Sequence, residues 1–92
     1  MKRLEVLACF FQRVSADARI TTSHLGLYST LFQLLCDQDM DGCITIYARE
    51  VMDKAKISST ATYRKLIHDL HDFGYLKYEP SFYKGKRSRI IL

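Results

Sequence analysis

Basic side chains are the residues of this chain with the clearest chemical use, and most of them lie in its second half. From Lys54 onward nine lysines and arginines stand against three acids, a net charge of +6, whereas residues 1–53 carry five basic and seven acidic residues, a net charge of −2. The run Tyr83-Lys84-Gly85-Lys86-Arg87 concentrates three of the cations. Clustered cations attract phosphate groups and other anions. The positive charge therefore belongs to the C-terminal part alone, and this part is where an anionic partner is expected to bind.

A calcium loop is the second chemical candidate. The spacing Asp37-x-Asp39-x-Asp41-Gly42-x-Ile44 matches the first eight positions of an EF-hand loop. The twelfth position, where such loops carry a bidentate carboxylate, is Ala48, and Glu50 lies two residues beyond it. Because the main neutralising ligand is missing, we interpret the segment as an acidic loop and expect no calcium site.

Histidines and hydroxyls give no stronger catalytic or metal site. His68 and His71 are three residues apart and precede Asp72, but a zinc site would need two further ligands, and the sequence has no C-x-x-C pair. Ser58 and Ser59 lack a base held in a recognisable motif, and there is no Gly-rich phosphate loop. We therefore expect no metal, no cofactor and no enzymatic activity.

The length of 92 residues predicts a single small domain spanning 1–92. A hydrophobic fraction of 48% and one proline are typical of a fully globular chain. The fold consumes the whole chain, so we expect no separate domain for a small-molecule ligand.

The cysteine count and the apolar segments indicate a cytoplasmic protein. Three cysteines, at 9, 36 and 43, do not make a disulfide framework, and Cys9 and Cys36 are expected in the core. The apolar run at the N-terminus is short and contains Glu5, which argues against a signal peptide, and no stretch approaches the length of a membrane span. We expect no membrane partner.

The first 20 residues are predicted to form an amphipathic helix. Leu4, Leu7, Phe11, Val14 and Ala18 recur at spacings of 3, 4, 3 and 4. Further apolar residues lie beside this row, so the helix needs contacts on more than one side. The sequence leaves two interpretations open: the helix packs across its own domain, or it also forms a homodimer with a second copy.

Two more helices and a strand are predicted before residue 57. The hydroxyls of residues 21–23 are suited to cap a helix that ends near Asp37. Its predicted buried face is Leu25, Tyr28, Leu31, Phe32 and Leu35. The short, β-branched stretch 43–46 predicts a strand, and a third helix follows from Tyr47 to Ala55, ended by Ile57.

The fourth helix has a basic N-terminal end. Ser58 and Ser59 supply its N-cap, and Gly74 stands where a left-handed residue is wanted after its C-terminus. The predicted buried face is Tyr63, Leu66, Ile67, Leu70 and Phe73, and the opposite face is Thr60, Arg64, Lys65, His68, Asp69 and Asp72.

A hairpin is predicted after this helix. Residues 75–79 alternate in the manner of a strand, and residues 88–92 can pair with them. Pro80 and Gly85 favour a turn between the strands, whose tip would project Lys84, Lys86 and Arg87 into solvent.

In this order of elements, residues 23–92 resemble the winged-helix superfamily of small bacterial regulators. The resemblance is carried most sharply by residues 57–76, where a Ser/Thr-rich start, basic residues, two aliphatic turns and the exit Gly74-Tyr75-Leu76 follow one another. The chain is also similar to short winged-helix proteins carried on bacterial mobile elements. The implied fold is α+β and mostly helical: a three-helix core, a small antiparallel sheet and one wing, with an extra N-terminal helix in residues 1–20.

The resemblance implies sequence-specific binding of double-stranded DNA by a transcriptional regulator or an excisionase-like architectural factor. The recognition helix, 59–73, would enter the major groove, with Thr60, Ala61, Arg64 and Lys65 facing bases and Ser59 and Thr62 holding phosphates. The wing, 82–89, would place Lys84, Lys86, Arg87 and Arg89 on the backbone or in the minor groove.

A winged helix that binds a protein partner instead of DNA is the alternative. Tyr75, Tyr78, Phe82 and Tyr83 would favour it, because aromatic residues are enriched at protein interfaces. Their simpler interpretation is packing on the sheet, with Tyr83 as the exception because it borders the wing tip.

Overall fold

The computed structural model describes residues 2–38, 43–79 and 88–92. Four helices and three strands occupy these ranges. In chain order they are α1 (Lys2–Val14), α2 (Thr22–Asp37), β1 (Cys43–Ile46), α3 (Ala48–Ala55), α4 (Thr60–Asp72), β2 (Lys77–Glu79) and β3 (Ser88–Ile91). The chain is thus α+β and mostly helical, and the predicted order of helices and strands is confirmed. None of the helices in the described ranges is both long and apolar enough to span a membrane.

The three strands form one antiparallel sheet in the order β1-β3-β2. The predicted pairing of the last two strands is confirmed, and the structure adds β1 on the other side of β3, with Thr45 opposite Arg89. Ile44, Ile46 and Ile90 are buried, whereas Thr45 and Arg89 are exposed, because alternate residues of a strand point to opposite faces. One face of the sheet therefore packs on the core.

The core lies between this sheet face and helices α2, α3 and α4. α2 buries Tyr28, Leu31 and Leu35 as predicted, together with Leu27 and Leu34, which the predicted face omitted, while Leu25 and Phe32 are half-buried. α4 buries Tyr63, Leu66, Ile67 and Leu70 as predicted. Complete burial of one such aliphatic side chain contributes roughly 1.5–3 kcal/mol. α4 is therefore held firmly along one face.

Helix α1 packs on the core mainly through Phe10, a residue outside the apolar row that the sequence predicts to be buried. Phe10, which is 3% exposed, stacks on Tyr28 with ring centroids 3.6 Å apart, whereas Leu4 and Phe11 are 59% and 43% exposed. α1 ends at Val14, so Ala18 lies beyond it. The predicted row was therefore wrong in part, because a helix with apolar residues on several sides is oriented by the surface it meets.

The ends of α3 and α4 are set by a capping side chain and by residues in the left-handed conformation. Ser59 caps α4, its Oγ accepting the Thr62 backbone N–H at 3.3 Å, and Gly74 has φ of 84°, as the sequence predicts. Lys56 ends α3 with φ of 62°, a left-handed conformation that is unfavourable for a residue with a Cβ. The predicted strand from residue 75 begins instead at Lys77, since the turn after Gly74 buries Tyr75.

Candidate nucleic-acid interface

The outer face of α4 carries the polar residues of the candidate interface. Because Tyr63, Leu66 and Ile67 point into the core, the residues on the opposite side are exposed: Thr60, Ala61, Thr62, Arg64, Lys65, His68 and Asp72. Burial raises the pKa of Tyr63, so its phenol stays neutral and serves packing. The predicted site residues of this helix therefore share an accessible surface.

The N-terminal end of this surface is suited to an anion. The first backbone N–H groups of a helix have no partner within the helix, and they give this end a partial positive charge. In α4 the Ser59 hydroxyl takes up only the Thr62 N–H. The Ser59 hydroxyl proton remains available as a donor, since its oxygen acts as the acceptor in that bond.

The two cations of α4 project toward different neighbours. Lys65, whose side chain is 75% exposed, has its Nζ 3.8 Å from Oδ2 of Asp69, one turn further along the same helix. Arg64 lines a cleft of about 370 Å³. The other residues around this cleft are Ala48, Thr60, Tyr63, His68, Tyr78 and Ser88.

This cleft lies between α4 and the two strands that flank the predicted wing. Tyr78 of β2 and Ser88 of β3 belong to the strand ends that flank residues 80–87, and both line the cleft beside Arg64. The described residues on either side of 80–87 thus lie next to Arg64. Lys84, Lys86 and Arg87 themselves lie outside the described residues.

Arg89, the last predicted wing residue, is exposed on the central strand. It lies in register with Thr45 on one side and Glu79 on the other, on the sheet face opposite to that of Ile90. The structure therefore places Arg89 on the face of the sheet turned away from the core.

Arg49 is a further cation near the candidate site, and the sequence does not predict its position there. It is exposed at the start of α3 and lines a second cleft, of about 570 Å³, together with Ser58 and Thr60 at the start of α4. Its position just after β1 was visible in the sequence. Nothing in the sequence indicated that α3 brings it to the N-terminal end of α4.

A buried histidine positions α4, and this was also missed. His24 is 3% exposed; its Nδ1 accepts the backbone N–H of Thr21 at 2.9 Å, and its Nε2 lies 2.9 Å from Oδ2 of Asp69. Because a backbone N–H can only donate, Nδ1 is the acceptor and the ring proton is on Nε2, which donates to Asp69. Asp69 therefore faces α2 and is only partly exposed, so its assignment to the outer face of α4 was wrong.

The segment that follows α1 binds the turn at the end of α4. The carboxylate of Asp17 accepts two hydrogen bonds from the guanidinium of Arg19, each of 2.9 Å, and one from the hydroxyl of Tyr75 at 2.7 Å. The Arg19 guanidinium also lies 4.0 Å from the centroid of the Phe73 ring. These hydrogen bonds, first that from Arg19, lower the pKa of Asp17.

Arg13 extends this contact into α1. Its Nη1 donates to the carbonyl oxygen of Gly74 at 3.2 Å, and its guanidinium lies 4.5 Å from the centroid of the Tyr75 ring. We call the contacts of residues 13–19 with residues 73–75 the clasp. The clasp fixes α1 relative to the C-terminal end of α4.

Replacing Asp17 by asparagine is expected to lower the free energy of unfolding at pH 7, and the difference is expected to become smaller in acid. Asp17 has a lower pKa in the folded protein than in the unfolded chain, where an aspartate titrates near 4. Its contribution is therefore fully present above about pH 5, begins to decrease below about pH 4, and is lost only as the pH falls through the lower pKa of the folded protein. Urea denaturation at pH 7 and at pH 3 measures both effects. Asp53→Asn, on the exposed side of α3, is the control, and an equal loss in both variants at pH 7 would contradict the expectation.

The other candidate chemistry finds no structural support within the described ranges. His68 and His71 are exposed, and His71 Nδ1 accepts the Tyr78 backbone N–H at 3.1 Å, which joins α4 to β2. No group of three or more His, Cys, Asp or Glu residues that could hold a metal ion occurs in residues 2–38, 43–79 and 88–92. Asp39, Asp41 and Gly42 of the acidic loop lie outside these ranges.

Comparison with known proteins gives no family. No protein-family model, no curated protein and no solved structure matches the chain. The function has to be inferred from the site itself.

The aromatic residues of the protein-interaction alternative are partly used within the fold. Tyr75 is buried in the clasp, and Tyr78 is half-buried with its ring edge-to-face against His68 at 5.5 Å. Both therefore pack within the domain, as their simpler interpretation holds. Phe82 and Tyr83 lie outside the described residues. Cys9, expected in the core, is exposed, because α1 turns Phe10 inward instead.

Proposed function

We propose that the chain is a winged-helix protein that binds double-stranded DNA sequence-specifically, with α4 as the recognition helix. The observation that carries the proposal is the outer face of α4, where Arg64 and Lys65 are exposed together with hydroxyls near the N-terminus of the helix. Arg64 also lies beside Tyr78 and Ser88, the described residues nearest to the basic segment 80–87 on that cleft. The order of the elements and the sheet order β1-β3-β2 support a winged helix.

Shape and charge of this face suit the major groove. The groove of B-DNA admits one α-helix, and helix–turn–helix proteins insert the N-terminal part of the recognition helix. In α4 the cations are at this end, and Asp72 is at the other. An arginine that pairs with guanine through two hydrogen bonds discriminates bases by about 1–3 kcal/mol, and Arg64 is the candidate for this role.

Phosphate contacts would surround this helix. Ser59, Thr62 and Arg49 are exposed near its start, and the hairpin cations Lys84, Lys86 and Arg87 follow in sequence between β2 and β3. Such contacts give affinity without sequence preference. The net charge of +6 in the C-terminal part favours such contacts.

The role that fits this site is that of a cytoplasmic transcriptional regulator or an excisionase-like architectural factor. The candidate interface consists of positioned cations and hydroxyls, which recognise DNA without carrying out a reaction. We propose that the chain is not an enzyme and takes no small-molecule ligand.

The test is binding to a fluorescent duplex of random sequence in a series of salt concentrations. We expect measurable affinity at low salt and a linear fall of log affinity with log salt, with a slope of about 0.9 for each phosphate contacted. Selection of bound sites from a random pool should then enrich a defined sequence. Absence of binding to any duplex at low salt would overturn the proposal and favour the protein-interaction alternative.

A further inference from the structure

Helix α1 carries an apolar strip that its own domain leaves uncovered. Leu4, Ala8 and Phe11 are all exposed, and their spacings of 4 and 3 place them on one side of the helix. Leu4 and Phe11 are two of the three exposed large hydrophobic residues in the part of the chain that the structure describes. The strip borders Leu7 and Val14, which are half-buried against the core.

The strip is complementary to itself. Ala8 is a small residue between two large ones, so two copies of α1 can approach closely at Ala8. If they run antiparallel about a twofold axis near Ala8, Leu4 of each copy lies beside Phe11 of the other. A twofold interface requires this kind of self-matching patch. The antiparallel arrangement also sets the opposite ends of the two helix dipoles side by side.

The charge distribution favours a second copy at this strip. Each chain carries a net charge of +4, and two copies that met through their C-terminal parts would bring charges of +6 together. The strip itself is uncharged and belongs to residues 1–53, whose net charge is −2. Pairing here therefore keeps the two basic parts apart.

The size of the contact determines how strong the pairing is. A helix of 13 residues is about 20 Å long, and specific, stable interfaces bury about 1,200 Å² or more. Contact along α1 alone falls short of this area, so the dimer is weak in free solution. Two copies bound on neighbouring DNA sites have a much higher effective concentration, and the same contact then suffices.

We propose that the Leu4-Ala8-Phe11 strip forms an antiparallel, twofold α1–α1 contact between two copies of the chain and makes their binding to adjacent DNA half-sites cooperative. The clasp transmits this contact, because Arg13 and Asp17 attach the α1 segment to the turn that ends α4. The spacing of two α4 helices is then fixed by the dimer. The DNA half of this inference rests on the proposed function, whereas the contact itself does not.

Disulfide trapping tests the contact without DNA. The variant Ala8→Cys/Cys9→Ser places a thiol at the proposed twofold axis. The unmodified chain is the control, because its exposed Cys9 lies on another side of α1. Both proteins retain Cys36 and Cys43. We expect cross-linked dimer to form roughly tenfold faster in the variant, because the contact raises the effective thiol concentration. Adding Leu4→Glu should abolish the difference, with circular dichroism confirming the fold. Equal rates of cross-linked dimer formation in the variant and the unmodified chain would show that the proposed α1–α1 contact does not form.

Binding to DNA with one or two copies of a selected half-site separates the two proposals. We expect the two-site duplex to bind cooperatively, and Leu4→Glu to remove the cooperativity while leaving the affinity for one site unchanged. Binding to one site without cooperativity on two would overturn the inference and leave the proposed function intact. If the protein bound no duplex at all, the proposed function would be overturned. The rates of disulfide trapping would still show whether the α1–α1 contact forms.

Discussion

Replacing Arg64 and Lys65 together by alanine is expected to weaken binding to a selected DNA site by roughly 2–4 kcal/mol, about 30- to 1,000-fold in Kd. Both side chains are exposed on the outer face of α4, so their removal leaves the packing of the helix unchanged. Loss of an arginine–guanine pair accounts for about 1–3 kcal/mol, and loss of one phosphate contact adds to it. Fluorescence anisotropy with the wild-type and the double variant on the same duplex measures the change.

The two single variants should affect different properties of DNA binding, one its sequence preference and the other its overall affinity. Arg64→Ala is expected to relax the preference for one base pair of the site, whereas Lys65→Ala is expected to weaken binding to all sequences alike and to reduce the salt slope by about 1. The proximity of Lys65 to Asp69, at 3.8 Å, also offsets part of its charge, so we expect the smaller effect at this position.

A charge-matched control distinguishes a specific site from general attraction. Lys54→Ala/Lys77→Ala removes the same net charge from exposed positions on α3 and β2. It should lower the affinity for DNA much less than the α4 variant, since screening limits the reach of surface charges to about 8–10 Å at physiological salt. Equal losses in the two double variants would contradict a recognition role for α4.

The features of α4 that the sequence predicted correctly depend on residues close to one another in the chain. Its cap at Ser59, its exit at Gly74 and the buried row Tyr63, Leu66 and Ile67 all follow from local spacing. Helix periodicity and capping act over one or two turns, so the sequence carries this information directly. The exposed positions of Arg64 and Lys65 follow from the same periodicity.

The contacts that could not be predicted from the sequence are those between residues far apart in the chain. Phe10 rather than Phe11 turns inward because Tyr28 supplies a flat ring to stack on, and α1 is apolar on both sides. β1 joins the sheet through β3, with Thr45 opposite Arg89. Spacing alone gives no sign of such pairings, since their stability comes from packing between elements. The clasp between Asp17 and Tyr75 belongs to the same class.

The pair of His24 and Asp69 is such a long-range contact, and breaking it is expected to have the largest effect on stability. His24→Ala should lower the free energy of unfolding by roughly 2–4 kcal/mol, since it removes a hydrogen bond to a charged group and the partner of the Thr21 N–H, and leaves a cavity. For a domain of this size the melting temperature should fall by about 10–20 °C. Thermal unfolding followed by circular dichroism measures this directly.

Two control variants test why His24 matters. In Asp69→Asn the amide oxygen can still accept the Nε2 proton, so we expect a loss of only about 1 kcal/mol. His68→Ala removes an exposed histidine whose ring contacts Tyr78, and it should lower stability by about 1 kcal/mol at most. If His24→Ala were no more destabilising than His68→Ala, the hydrogen-bonded link from α2 to α4 would contribute little to stability. With the expected order, His24 helps to fix the position of α4 relative to α2 in addition to the core contacts, and its loss should also lower DNA affinity at temperatures where the variant is still folded.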